Sequence, residues 1–323
     1  MSFPELSVIV PLFDEEANVL ELYRRLTFAL EGLDVTYEIV WINDGSRDRT
    51  AEMADALAAD DARLAVIHLS RNFGHQAAIS AGIDHARGQA VVVMDGDLQD
   101  PPEVVGEILD TWRSGFDVVY AIRTKRKEPF WKRAGYFAFY RLLHGISDLD
   151  IPLDAGDFCL MDRKVVTALR SMPERDRFVR GLRTFVGFRQ TGVVYERAGR
   201  HAGTPKYTLR RLCRLALDGL FGFSGFPLSM IAYLGFASLL VALGLTAWTW
   251  IDPTRLPTGA TTTLAVLYMG AVQLLGLGIV AEYLRRIFAE VKARPTYLVA
   301  RVTEAEATLD DRRPLLVVGR KPK

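Results

Sequence analysis

From Leu6 to Ala121 the chain carries two hydrophobic rhythms in turn. Short continuous apolar runs at Leu6–Pro11, Tyr37–Ile42, Leu64–Leu69, Ala90–Met94 and Asp117–Ala121 read as buried strands. Between them, Asp14–Leu30, Thr50–Ala59, Ala77–His85 and Pro102–Arg113 have helical spacing. In the first of these Val19, Leu22, Leu26 and Leu30 share one face. Alternating strand and helix, with strands apolar throughout, predicts an α/β fold with a mostly parallel sheet covered on both faces. Such sheets bind ligands beyond the carboxyl ends of their strands. Asp14, Glu15, Asp44, Arg71, Asp95 and Asp97 all fall just after strands, so they are expected to converge at one edge.

The pattern changes after residue 206. No charged residue occurs from Gly219 to Ile251, nor from Leu256 to Ala281. A membrane span needs about 20 apolar residues to cross about 30 Å of hydrocarbon. Two transmembrane helices are therefore expected, near Pro227–Trp250 and Thr261–Tyr283, joined as a hairpin by the turn-rich segment Asp252–Gly259. Arg210, Arg211 and Arg214 precede the first run, and Arg285, Arg286, Lys292 and Arg294 follow the second. The positive-inside rule then places both termini in the cytoplasm. The early run Leu6–Phe13 is short, lacks a basic flank and contains Pro11, so it reads as a strand and not as a signal peptide. The expected organisation is a cytosolic catalytic domain at 1–206, an amphipathic juxtamembrane helix at 207–226, a two-helix hairpin at 227–284 and a cytosolic tail at 285–323. Pro295–Val302 and Arg313–Val318 read as a β-hairpin in that tail.

Charge and composition remove several alternatives. Lys and Arg total 40 against 39 Asp and Glu, a net charge of +1, which argues against a nucleic-acid partner. Two cysteines cannot form a disulfide framework, and no histidine–cysteine cluster suggests zinc. His68, His75, His85, His144 and His201 show no ligand spacing. There is no P-loop pattern, and no GxGxxG follows the first strand.

Asp95-Gly96-Asp97 after an apolar strand asks for a cation. Two carboxylates so close repel when both ionise. Mg²⁺ or Mn²⁺ relieves this, since such ions bind one or two carboxylates plus substrate phosphates. Asp97 and Gln99 are two apart, so an extended segment would aim both oxygens the same way.

Three segments carry a family resemblance: Val8-Ile9-Val10-Pro11-Leu12-Phe13-Asp14-Glu15-Glu16, Asn43-Asp44-Gly45-Ser46-Arg47-Asp48-Arg49-Thr50, and Met94-Asp95-Gly96-Asp97-Leu98-Gln99-Asp100-Pro101-Pro102. They resemble family 2 glycosyltransferases of the GT-A (Rossmann-like, nucleotide-diphospho-sugar transferase) fold. Leu69-Ser70-Arg71-Asn72-Phe73-Gly74-His75 is similar to the subgroup acting on polyprenyl phosphates, which includes dolichol-phosphate mannose synthases and bacterial undecaprenyl-phosphate glucosyltransferases. The resemblance continues through Arg200–Tyr207, Asp218-Gly219, Phe223-Ser224 and Pro227-Leu228.

That resemblance implies an inverting transfer of a hexose from a nucleotide sugar, UDP-glucose first, to undecaprenyl phosphate, for envelope glycan modification. GDP-mannose, UDP-N-acetylglucosamine and UDP-aminoarabinose stay open as donors. It implies that Pro11, Phe13, Glu15, Ile42 and Asp44 hold base and ribose. Asp95, Gly96, Asp97 and Gln99 meet the diphosphate, with Asp95, Asp97 and Gln99 holding the metal. Arg123, Arg200 and Lys206 contact phosphates, and Asp157 sits near the reacting centre as an orienting group or a base. The family usually has Ser where Pro205 stands and Trp where Phe185 stands. A homo-oligomer, with a tetramer among the open states, and a multi-pass place in the bacterial inner membrane complete the expectation.

The residues support these roles independently. A departing nucleoside diphosphate builds negative charge that a metal and Arg or Lys side chains stabilise. From Arg197 to Arg214 there are six Lys or Arg and no acidic residue. A processive polysaccharide synthase would need a Gln-x-x-Arg-Trp motif, which is absent. A nucleotide-sugar-binding scaffold is the non-enzyme alternative, and Asp95, Asp97, Gln99, Asp157, Arg200 and Lys206 together argue against it.

Overall fold

A computed structural model describes residues 3–124, 155–175, 177–196, 230–231, 233–238, 240–241, 243–244 and 260–305. Contacts divide the chain into two compact units, one of residues 1–140, 149–207 and 294–323, the other of 141–148 and 208–293.

The first unit is built on an eight-stranded sheet in the order β7-β5-β6-β4-β1-β2-β3-β8. Its strands are β1 (Leu6–Leu12), β2 (Tyr37–Asn43), β3 (Leu64–Leu69), β4 (Ala90–Val93), β5 (Val118–Thr124), β6 (Ala155–Asp162), β7 (Gln190–Glu196) and β8 (Val299–Thr303). The helices are α1 (Val19–Glu31), α2 (Thr50–Asp60), α3 (His75–His85), α4 (Val105–Arg113, entered through a 3₁₀ turn at Pro102–Val104), α5 (Arg163–Ser171) and α6 (Val179–Phe185). β1 pairs in parallel with both β2 and β4, so the chain reverses its winding direction at β1. The crevice between β1 and β4 is the place where such sheets bind ligands. Val8, Ile9, Val10, Ile39, Trp41, Val91 and Val92 are essentially inaccessible, as expected of strands covered on both faces.

The sheet is less uniformly parallel than the strand–helix alternation predicts. β6 enters antiparallel between β4 and β5, and β8 pairs antiparallel with β3. β8 covers what would be the open edge of β3, so the first of the two tail pieces joins the main sheet. The second piece, Arg313–Val318, lies outside the described residues, as does the juxtamembrane helix at 207–226.

The first helix begins five residues later than its spacing suggests, at Val19. Asp14, Glu15 and Glu16 are instead tied into the neighbouring loop. Asp14 N–H donates to Ser46 Oγ at 3.1 Å, Glu15 N–H to Thr50 Oγ1 at 2.8 Å and Glu16 N–H to Asp48 Oδ2 at 3.1 Å. Asp14 takes a left-handed backbone, φ 53°, to make this turn.

The second unit contains α7 (Ala260–Lys292). Near its end Glu282 accepts from Arg285 at 2.6 Å and from Arg286 at 3.1 Å. The expected transmembrane helices at Pro227–Trp250 and Thr261–Tyr283 are corrected here, and with them the multi-pass inner-membrane placement. Among the described residues no helix is long and apolar enough to cross a membrane. An uncharged run becomes a span only as one continuous apolar helix of about 20 residues. The first run is described only in pieces, and residues 245–259 between the runs lie outside the described residues. The helix holding the second run is Ala260–Lys292, with Glu282, Arg285, Arg286, Glu290 and Lys292 toward its end. What stands of the expected fold class is the Rossmann-like α/β domain.

Candidate active site

The carboxyl ends of β1, β2, β3 and β4 share one edge of the sheet because these strands run in parallel. Because β6 runs the other way, its beginning reaches the same edge. The register pairs Val93 with Cys159, so Asp95 and Asp157 each lie two residues beyond that pair, toward the same crevice.

His75, the first residue of α3, stands between them. Its Nε2 is 3.3 Å from Asp157 Oδ2 and 3.6 Å from Asp95 Oδ1. From the other side Arg180 on α6 places Nη2 3.3 Å from Asp157 Oδ1. Desolvation pushes the Asp157 carboxyl up, but the hydrogen bond from His75 and the charges of Arg180, His75 and Arg183 outweigh it. They hold Asp157 well below the usual carboxylate range. Desolvation likewise opposes a charge on His75, yet the hydrogen bond to Asp157 and the charges of Asp95 and Asp157 raise it to about 9. Asp95 goes the other way. Desolvation comes first in lifting it to about 6; His75 works against the rise, and Asp100, Asp157 and Asp97 add to it.

A buried carboxyl raised by desolvation, with acidic neighbours adding to the rise, suits a divalent cation, which would relieve that repulsion. Among the described residues no group of three His, Cys, Asp or Glu side chains is arranged to hold a metal ion alone. A hard cation takes one or two carboxylates and completes its shell with phosphate oxygens and water. Asp97 and Gln99 are not on an extended segment, contrary to the spacing argument. Leu98 between them is left-handed, φ 60°, and Asp97 Oδ1 accepts the Gln99 N–H at 3.2 Å. A leucine there costs about 1–2 kcal/mol, and the complete burial of its side chain holds the turn. A Cβ on Gly96 would meet Leu12 Cδ2 at 2.6 Å and the Pro11 carbonyl oxygen at 3.2 Å, so any larger residue there makes its neighbours shift.

The expected base and ribose residues fare differently. Phe13 and Glu15 follow β1 at the crevice, and Glu15 Oε2 accepts from Asn18 Nδ2 at 2.6 Å. Pro11 is buried within β1. Ile42 is fully buried and its Cδ1 lies under α3, 2.8 Å from where a Cβ on Gly82 would be; it is a core residue. Asp44 is buried and accepts N–H groups of Phe73 at 2.7 Å and Gly74 at 2.9 Å. Desolvation raises its pKa, and those two bonds, His75 and Arg71 partly offset the rise. Asp44 thus braces the β3–α3 loop that delivers His75. Arg123 lies in β5 opposite Tyr195. Arg200 and Lys206 lie outside the described residues.

His75, Arg180 and Arg183 are the residues that spacing did not single out. His75 was legible only as the end of the Arg71–His75 segment after a strand. Arg180 and Arg183 carried the signal of two arginines three apart in one short helix. Arg183 is buried, lies 5.7 Å from the Tyr120 ring centroid, and adds positive charge behind Asp157 and Cys159.

Residues 7–170 match the family model described as glycosyl transferase family 2. The chain is 43% identical over 301 residues to an uncharacterized glycosyltransferase of Synechocystis sp., covering 92% of this chain and 95% of that protein. It is 44% identical over 303 residues to an uncharacterized glycosyltransferase of Bacillus subtilis, covering 91% and 93%. It is also 39% identical over 303 residues to the bactoprenol glucosyl transferase of Shigella phage SfII, covering 91% and 97%.

Proposed function

The chain belongs to glycosyl transferase family 2, and from that premise we propose that it moves a hexose from a nucleotide sugar to a polyprenyl phosphate. UDP-glucose is the proposed donor and undecaprenyl phosphate the proposed acceptor, by likeness to the bactoprenol glucosyl transferase of the phage. The observation that carries the reading is the meeting of Asp95, His75 and Asp157 at the β1–β4 crevice.

The proposed reaction is one displacement with inversion: the acceptor phosphate oxygen bonds to the anomeric carbon as the bond to the nucleoside diphosphate breaks. A phosphate monoester, second pKa near 6, is already largely ionised at neutral pH, so no strong base is needed. Asp157, held anionic by His75 and Arg180, is too weak a base to take a proton there and is assigned an orienting role. The positive charge on His75 lies beside Asp95 and favours an incoming diphosphate. Asp95, Asp97 and Gln99 are proposed to hold Mg²⁺ or Mn²⁺, which when bound supplies positive charge to the leaving diphosphate. Arg123, Arg200 and Lys206 are proposed as further phosphate contacts on sequence grounds.

The test is transfer from labelled UDP- and GDP-sugars to detergent-dispersed undecaprenyl phosphate with Mg²⁺, Mn²⁺ or EDTA. Metal-dependent formation of one lipid-linked hexose, from UDP-glucose, is expected. No lipid product from any donor, with folded protein, would overturn the reading.

A further inference from the structure

A chain of hydrogen bonds runs from the edge of the sheet to the turn at the carboxyl end of β2. Arg301 on β8 donates from Nη2 to Asp55 Oδ2 at 2.5 Å. Asp55 Oδ1 lies 2.8 Å from His68 Nε2, and His68 Nδ1 lies 3.0 Å from Asn43 Nδ2. Asn43 Oδ1 accepts the Ser46 N–H at 3.0 Å, and Ser46 Oγ accepts the Asp14 N–H at 3.1 Å.

The donors and acceptors fit only one way. Asn43 uses its oxygen on Ser46, so its amide nitrogen donates to His68 Nδ1. The imidazole proton is then assigned to Nε2, where it donates to Asp55. Burial lowers the His68 pKa, which keeps the ring in this neutral form, while the Asp55 hydrogen bond and charge resist the lowering. Both His68 and Asn43 are buried, so the bond between them has no water to replace it. Arg301 pairs with His68 in the β3–β8 register, and its hydrogen-bonded route to the ring runs through Asp55 on α2.

We propose that His68 is a positioning residue for nucleotide binding: Asp55 and Arg301 fix its ring, and the ring, through Asn43, fixes the Asp44–Ser46 turn beside the donor site. This rests on the nucleotide-sugar reading above. The C-terminal strand β8, far from the crevice in sequence, thereby contributes to donor affinity without touching the donor.

The full chain is compared with His68→Phe, His68→Gln and Arg301→Gln. UDP and GDP binding are read by calorimetry with Mn²⁺, and donor KM and kcat by lipid transfer. His68→Phe is expected to weaken UDP binding and raise donor KM about five- to tenfold, as one or two lost buried hydrogen bonds would. Its kcat should stay within about twofold, because no lost bond is made to the reacting atoms. His68→Gln, which keeps one donor and one acceptor, should recover most of the affinity. Wild-type UDP affinity in His68→Phe, or no recovery in His68→Gln, would overturn the proposal. Should His68→Phe fail to fold, Arg301→Gln on the exposed edge decides: a KM rise of about twofold or more supports the chain, and an unchanged KM overturns it. Failure of the wild type to bind either nucleotide would instead defeat the nucleotide-sugar reading.

Discussion

His75 Nε2 lies 3.3 Å from Asp157 Oδ2, a contact between the first turn of α3 and the first residues of β6, 82 positions apart in the chain. It joins two halves of the crevice that share no local sequence. The pair is charged on both sides, with His75 raised to about 9 and Asp157 held well below the usual carboxylate range.

Removing that positive charge should move Asp95. His75 is the group that lowers the Asp95 pKa against burial and three acidic neighbours. In His75→Gln the acid limb of the rate–pH profile, near pH 6 in the wild type, should shift upward by about one unit, the size of a single nearby charge. Initial rates between pH 5 and 8 at one fixed, subsaturating metal concentration would show it; an unmoved limb would separate His75 from Asp95.

The same contact makes stability depend on pH. A histidine whose folded pKa is raised above its unfolded value of about 6.5 stabilises fully below that pH. The contribution is lost as pH rises through about 9. Thermal melts should therefore show the difference between wild type and His75→Gln shrinking from pH 6 to pH 10.

Metal affinity should follow Asp95. A cation must displace the proton that Asp95 holds below about pH 6. Mn²⁺ titrations monitored through UDP binding should give apparent affinity falling about tenfold per unit below that pH and levelling off above it. EDTA should abolish transfer at every pH, and Asp97→Asn should require more Mn²⁺.

Asp157→Asn keeps the shape but removes the charge that holds His75 and Arg180. A loss of about 10²-fold or more in kcat is expected. An orienting role predicts no ionisation from Asp157 in the wild-type profile above pH 4, because its carboxyl is already ionised there. A wild-type limb that vanishes in Asp157→Asn would restore it as a base.

Gly45 sits at φ 65°, and a Cβ there would come within 2.6 Å of the Arg71 carbonyl carbon and the Asn72 nitrogen. Neither backbone can yield easily. Gly45→Ala should destabilise by about 2 kcal/mol or more, combining left-handed strain and the clash. Melting temperature and UDP affinity would fall together, since the same turn carries Ser46.

Most elements from Leu6 to Ala121 were legible in the chain, because apolar runs and helical faces are local patterns that neighbouring residues enforce. β1, β2, β3 and β4 lie within a residue or two of where those runs place them, and their parallel pairing puts Asp14, Asp44, Arg71 and Asp95 at one edge as expected. The family was legible too, in the segments around Asp44 and Asp95. Two uncharged runs read as membrane spans, whereas among the described residues no helix is long and apolar enough to cross a membrane.

The rest was not legible there, because it depends on pairings between distant strands. Antiparallel β6 brings Asp157 to Asp95, and β8 brings Arg301 to Asp55 beside His68. Burial then sorts like residues into unlike roles: Asp44 becomes a brace for a loop, Asp95 a carboxyl raised toward neutrality and Asp157 a fixed anion. No spacing in the chain encodes those differences, since each is set by which charges and backbone N–H groups the fold places within a few ångströms.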